Sequence, residues 1–250
     1  MAITVEHLKR AYGSFTAVDD LSFHVRPGEI VGLIGPNGAG KTTTLRSLAG
    51  ILRPTAGHVR IGADGGHDIV DDPIEAKKRL AFMPDEPHLF EYLTVEEHLR
   101  LTARLYAVDD FDRRARALLD ELELAGREKS LPGELSRGMR QKVVVACGLV
   151  RHADALLFDE PLTGLDPIGI RKMRETIVAR GRSGAAILLS SHLLHLVEEI
   201  CTRVLIVKKG RMVAIGTIDQ ILVGRPELRG QSLEDIFLTL TEGDGGGNGG

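Results

Sequence analysis

The stretch Gly35-Pro-Asn-Gly-Ala-Gly-Lys-Thr-Thr43 carries glycines, a lysine and hydroxyls in a spacing that suits phosphate binding. Gly35, Gly40, Lys41 and Thr42 fill every fixed position of the pattern GxxxxGK[ST]. The apolar run Glu29-Ile-Val-Gly-Leu-Ile34 reads as a buried strand, and Thr42–Ala49 as a helix stopped by Gly50. A strand feeding a glycine-rich turn into a helix N-terminus aims backbone N–H groups at one point, with the helix dipole behind them. Asn37, Gly38, Ala39, Gly40 and Thr43 complete that cradle, and the glycines are expected to let phosphates approach where a Cβ would block them. Lys41 is placed to neutralise β- and γ-phosphate oxygens, and the Thr42 hydroxyl to take one site on Mg²⁺. The bland alternative is a turn that only reverses the chain; the flanking strand and helix argue against it.

A triphosphate site needs a second acidic element on a neighbouring strand. Ala155-Leu-Leu-Phe158 reads as that strand, and Asp159-Glu160 follows at its carboxyl end. Adjacent carboxylates can divide the work, Asp159 toward the metal and Glu160 toward the attacking water as general base.

The elements that must position these groups are legible in outline. Residues 2–31 read as antiparallel strands, with Leu21, Phe23 and Val25 alternating before the turn Arg26-Pro-Gly28. Val59 and Ile61 mark a further strand, and 64–68 a surface loop. Leu80–Met83 is strand-like and ends at Pro84-Asp85-Glu86-Pro87. Helical patterns then dominate to about residue 150. Thr94-Val-Glu-Glu97 is a capping box opening a helix through Ala107. Ala115, Leu118, Leu119 and Leu122 form the inner stripe of the next helix, with Arg113, Arg114 and Arg116 as its solvated face. Val143, Ala146, Cys147 and Val150 line a third. From residue 155 strands and helices alternate: helices over Pro167–Ala179 and His192–Cys201, strands over Ala185–Ser190 and Val204–Val207. Apolar strands interleaved with helices imply an α/β fold, a mostly parallel sheet covered on both faces. Residues 217–230 give no clear pattern. Ser232–Leu240 reads as a short helix, and Gly243–Gly250 as a glycine-rich disordered tail. Tyr12, at a strand exit, serves equally as an edge residue or as a flat face for a base.

These motifs, in this order, resemble the ATP-binding subunits of ABC transporters over about residues 3–215. Leu135-Ser-Arg-Gly-Met-Arg-Gln141 resembles the family's LSGGQ signature, Gly164-Leu-Asp166 the loop after the catalytic glutamate, and Ser190-Ser-His192 the switch histidine. The resemblance implies a phosphate-loop NTPase core of RecA-like type, residues 1–84 and 151–216, with an antiparallel β subdomain at its N-terminus. A helical signature subdomain (85–150) is inserted in it, and a C-terminal segment (217–250) follows. It implies ATP and Mg²⁺ as cofactors, Tyr12 stacking on adenine with Val18 beside it, and His192 on the γ-phosphate. Ser136, Arg137, Gly138 and Met139 would contact, in trans, a nucleotide held by a second subunit, with Asp166 coupling the two sites. The implied partners are an integral membrane permease and a second nucleotide-binding subunit, a homodimer being the simplest. The chain would then sit on the cytoplasmic face of the membrane, peripheral through the permease.

Three positions depart from the family pattern. Asp85 stands where the family carries a metal-sensing glutamine, which leaves it a candidate metal-side group. Within the signature, Arg137 replaces the first glycine and Met139 the glutamine, while Ser136 and Gly138 are kept. LSRGMRQK together with Leu233–Leu238 resembles exporters with a separately encoded permease. The stretch Phe90-Glu-Tyr-Leu-Thr94 reads equally as a docking groove for such a partner or as a packed loop.

Bulk properties narrow the alternatives. A 250-residue chain can bury a proper core, and 43% hydrophobic with 27% charged residues is the balance of a globular protein. A net charge of −3 argues against broad nucleic-acid affinity. Met1–Glu6 meets a charge too early for a secretory leader, and no apolar run approaches the ~20 residues that span a bilayer. Cys147 and Cys201 read as buried thiols. A soluble ABC-type ATPase acting on ribosomes or nucleic acid remains the alternative; such chains usually carry two cassettes or a coiled-coil insertion.

Overall fold

The computed structural model describes residues 1–63, 65–223, 228 and 230–242. Strands β1 (Ile3–Tyr12) and β2 (Phe15–Val25) form a hairpin in which Ile3, Val5 and Leu8 face inward across from Val25, Phe23 and Leu21. Strand β3 (Ile30–Ile34) is buried at every position. It leads through Gly35–Gly40 into helix α1 (Lys41–Leu48). Strands β4 (Ala56–Ile61) and β5 (His67–Asp68) complete a four-stranded antiparallel sheet in the order β2-β1-β4-β5. His67 and Asp68 thus pair with Ile61 and Arg60, where the sequence suggested a loop; Asp64 of that loop lies outside the described residues.

Helix α2 (Pro73–Lys78), not expected from the sequence, precedes β6 (Leu80–Met83). Helices α3 (Val95–Leu105), α4 (Phe111–Glu121) and α5 (Arg137–Leu149) follow and pack on one another. Thr94 closes the expected capping box, its side chain accepting from the Glu97 N–H while Glu97 Oε2 accepts from the Thr94 N–H. Arg114 is not part of a solvated face. Its Nε donates to the Val150 carbonyl at 2.8 Å, because α4 lies close enough to the end of α5 to cap it.

The remaining chain is β7 (Ala155–Asp159), α6 (Pro167–Arg182), β8 (Ala186–Ser190), α7 (Leu194–Ile200), β9 (Arg203–Lys208), β10 (Arg211–Gly216), α8 (Ile218–Ile221) and α9 (Leu233–Glu242). The six-stranded sheet runs β10-β9-β3-β8-β7-β6, parallel throughout except for β10. Ile30 and Val31 therefore belong to a parallel sheet rather than to the antiparallel strands with which they were grouped. Period-2 alternation divides the core: Leu156, Phe158, Ile187 and Leu189 face the helices, while Ala155, Leu157, Leu188 and Leu205 face α1 and the antiparallel sheet. This is the α/β phosphate-loop NTPase architecture with an antiparallel β element and an inserted helical one. Helix α7 starts two residues later than expected, since the backbone N–H groups of His192 and Leu193 are taken by Glu160 Oε2 and Ser191 Oγ. The expected glycine-rich tail, 243–250, lies outside the described residues.

Candidate functional site

The glycine turn is shaped first by the protein's own backbone. A Cβ on Gly35 would lie 2.4 Å from the Val207 carbonyl oxygen of β9, and one on Gly40 would lie 2.4 Å from the Ala17 carbonyl oxygen of β2. Gly40 also has φ +99°, a left-handed conformation that L side chains avoid. These two glycines therefore admit the neighbouring strands, a requirement beyond the phosphate approach expected of them. Gly38 and Asn37 are exposed at the tip, and Ala39 is buried with its carbonyl accepting from the Gly210 N–H at 3.0 Å. The first-turn N–H groups of α1, at Lys41, Thr42 and Thr43, point out of the helix end without intrahelical partners. Lys41 Nζ reaches back over the turn to the Gly35 carbonyl at 2.7 Å. Burial lowers its pKa from 10.5, against the opposing pull of Glu160 and Asp159.

Asp159 ends β7 and is 1% exposed. Its Oδ1 accepts from Ser190 Oγ at 2.7 Å and from Thr42 Oγ1 at 3.2 Å, so the turn, β7 and β8 meet on one carboxylate oxygen. Burial raises its pKa above 3.8; the bonds from Ser190 and Thr42 pull it back, and the charges of Glu160 and Asp85 push it further up. Glu160 follows in a left-handed conformation, φ +49°, that turns its side chain away from the strand. Its N–H donates to Ser190 Oγ at 3.0 Å, and its Oε2 lies 2.7 Å from His192 Nδ1. Thr42 and Asp159 supply oxygen donors 3.2 Å apart. Asp85 Oδ1 is buried without a hydrogen bond. Such a donor set fits a small hard cation such as Mg²⁺.

Ser190 was the functional residue least visible in the sequence, where it served only as a neighbour of His192. The signal available was a serine ending an apolar strand; its partner becomes apparent only through the register that sets Ser190 beside Asp159.

The signature residues form the start of α5. Ser136 caps it, its Oγ accepting from the Met139 N–H at 3.2 Å. Gly138 sits under the Gly164–Leu165 turn, where a Cβ would lie 3.1 Å from the Gly164 oxygen. Asp166 caps α6 through the Gly169 N–H at 2.9 Å. Arg137 Nη2 lies 3.6 Å from Asp85 Oδ1, and Gln141 Nε2 donates to the Pro84 carbonyl at 3.0 Å, so α5 is joined to the end of β6. Tyr12 is 43% exposed at the end of β1, with the Arg10 guanidinium 4.4 Å from its ring centroid. Val18 is buried opposite Arg10 and packs beside Gly40. Phe90 and Tyr92 are 64% and 87% exposed, although the Phe90 N–H donates to His98 Nε2 at 2.9 Å and its ring stacks on that imidazole.

A central parallel strand, a glycine turn, a lysine at the helix start and a buried carboxylate on the neighbouring strand end together define a phosphate-loop nucleoside triphosphatase. Comparison with known proteins carries this further. The family model described as ABC transporter matches residues 18–163. The chain is 34% identical over 246 residues to the ABC-type transporter ATP-binding protein EcsA of Bacillus subtilis (strain 168), covering 98% of each chain. It is 39% identical over 217 residues to Nod factor export ATP-binding protein I of Paraburkholderia xenovorans (strain LB400), covering 86% of this chain and 70% of that relative. A solved structure described as the ATP binding subunit of an ABC transporter superposes with a TM-score of 0.90 at 37% identity, over 96% of this chain and 99% of the other. The chain belongs to the ATP-binding subunits of the ABC transporter family. Among the described residues no helix is long and apolar enough to cross a membrane.

Proposed function

We propose that this chain is the motor subunit of an ABC exporter, binding and hydrolysing ATP between two copies that pack head to tail. The observation that carries the reading is the junction at Ser190: Thr42 and Ser190 both donate to one oxygen of Asp159, while Glu160 is held by His192 2.7 Å away. In this reading Lys41 and the backbone from Asn37 to Thr43 grip the β- and γ-phosphates, Tyr12 carries the adenine and Val18 backs the turn. Thr42 and Asp159, with Asp85 on the neighbouring strand end, would hold Mg²⁺, which would supply positive charge to the phosphate oxygens. Glu160 takes the proton of the attacking water. His192 fixes the Glu160 carboxylate through Nδ1 and keeps its other ring nitrogen for a phosphate oxygen.

The second phosphate-facing element is the start of α5. One ATP does not need two helix N-termini from one chain, so Ser136, Arg137, Gly138 and Met139 serve the nucleotide of the partner copy, with Asp166 between the two sites. Residues 85–150 act as an arm that moves against the core formed by 1–84 and 151–216, and 217–250 as a closing segment. A relative that exports Nod factor supports the direction of transport. A 460 Å³ groove lined by Phe90, His98, Leu101 and Tyr106 offers a permease's cytoplasmic helix an apolar seat, holding the chain at the cytoplasmic face of the membrane.

Replacing Glu160 by Gln tests the reading. The variant should bind ATP, turn it over at least 100-fold more slowly by loss of the general base, and accumulate as an ATP-dependent dimer on size-exclusion chromatography. A variant that stays monomeric and hydrolyses ATP at the native rate refutes it.

A further inference from the structure

The chain departs from the family pattern at Asp85 and at Arg137, and the fold brings these two residues together. Arg137 Nη2 lies 3.6 Å from Asp85 Oδ1. That oxygen is buried and accepts no hydrogen bond, and the guanidinium is the charge set beside it. The pairing is nevertheless slack. At 3.6 Å it is a contact of charges without a hydrogen bond, and the side chains are 57% and 44% exposed. Pairs of this kind contribute little and yield readily to a stronger partner.

Arg137 is also the first residue of α5, directly after the Ser136 cap. Its stem lies over Gly164, where a Cβ would come within 3.4 Å of Arg137 Cδ. It thus stands at the positive end of a helix, between the end of β6 and the turn before α6. A multiply charged phosphate arriving at that helix end offers the guanidinium several acceptor oxygens, against the single carboxylate oxygen it now faces.

We propose that Asp85 and Arg137 form an intrachain latch: Asp85 holds Arg137 in the single protomer, and a triphosphate bound to a second copy of this chain draws it away. Release leaves Asp85 without its charge partner at the end of β6, the strand paired with the one that ends in Asp159. Engagement of α5 by one nucleotide is thereby reported to the other. The latch rests on the head-to-tail pairing proposed above.

The experiment is a double-mutant cycle in the Glu160→Gln background, reading the ATP concentration that gives half-maximal dimer by analytical ultracentrifugation. Asp85→Asn frees Arg137 and should lower that concentration roughly two- to fivefold, the range of a half-exposed ion pair. Arg137→Gln should raise it at least about tenfold through the lost charge-assisted bond to phosphate. Adding Asp85→Asn to Arg137→Gln should then change it less than about 1.5-fold, because the interaction it removes is already gone. Arg137→Lys, which keeps the charge, should recover part of the loss. A dimer in which Asp85→Asn weakens assembly, or in which the two substitutions are additive, overturns the latch while leaving the pairing intact. Absence of any ATP-dependent dimer in all forms overturns both.

Discussion

Replacing Ser190 by Ala is expected to destabilise the protein more at neutral pH than in acid. Ser190 is fully buried, and its hydroxyl donates to Asp159 Oδ1 at 2.7 Å while accepting from the Glu160 N–H at 3.0 Å. A bond to a carboxylate contributes about 1.5–3 kcal/mol, and the partly solvated Glu160 N–H left unpaired costs about 1 kcal/mol, giving roughly 3 kcal/mol in all. With a urea m-value of about 3 kcal/mol/M for a chain of this size, the midpoint should fall by roughly 1 M. The pH dependence follows from Asp159. Burial raises its carboxyl above the unfolded value of 3.8, and Ser190 is one of the groups pulling it down. A raised carboxyl contributes its stability in full below the unfolded value and loses it as pH rises through the folded value. Without Ser190 the folded value climbs further, so the penalty is largest above it and shrinks as pH falls toward 3.8. Urea titrations at a series of pH values between 4.5 and 8 on the order of half a unit apart would read this directly. Ser191→Ala, which removes one bond to the Leu193 N–H at 3.0 Å, is the control and should cost about 1 kcal/mol at every pH. A Ser190→Ala midpoint shift no larger than the control's, or one independent of pH, would refute the assignment of Ser190 as the donor that stabilises the buried carboxylate.

Lys41→Ala should weaken ATP binding at least about 100-fold, since it removes charge-assisted bonds to phosphate, and a fluorescent ATP analogue would measure it; native affinity would sink the phosphate-loop reading. Gly32→Ala should cost about 1–3 kcal/mol by overpacking, because its Cβ would sit 2.5 Å from Val197 Cγ1 and 3.1 Å from Cys201 Sγ; an unchanged urea midpoint would mean that α7 shifts freely on β3. Burial pushes the Cys147 thiol up to about 12 and raises that of Cys201 as well. Both should resist a disulfide reagent in the native protein, with two thiols per chain reacting in urea; fast labelling of either one under native conditions would contradict the packing around it.

Local motifs carried their structure with them. Thr94-Val-Glu-Glu97 caps its helix and α6 begins at Pro167 as the sequence suggested, since a helix start is set by groups three or four residues apart. The turn from Gly35 to Thr42 was legible for the same reason. What the sequence withheld depends on distant partners. Gly35 answers to Val207 and Gly40 to Ala17, strands whose adjacency no local pattern encodes. Strand β10 went unseen because Arg211 and Met212 are exposed and a bulge before Ala214 breaks its alternation. Arg114 looked like one of a solvated trio until the end of α5 arrived beside it. The loop from Phe90 to Tyr92 stayed ambiguous because exposure of an aromatic is a tertiary fact.

Strand order explains why the chemistry converges at all. Ligands of open parallel sheets lie beyond the carboxyl ends of the strands. Here the consecutive ends of β3, β8, β7 and β6 deliver, side by side, the glycine turn, Ser190 to His192, Asp159 with Glu160, and Asp85. Ser190 stands between the turn and the carboxylates because β8 lies between β3 and β7, pairing Leu33 on one side and Asp159 on the other. The helical insertion leaves the sheet after β6, the far end of that row. Through Gln141 on Pro84 and Arg137 on Asp85, the start of α5 bears on the same end. The start of α5 therefore meets the row at Asp85, three strands along from the strand that leads to Lys41 and next to the strand that ends in Asp159.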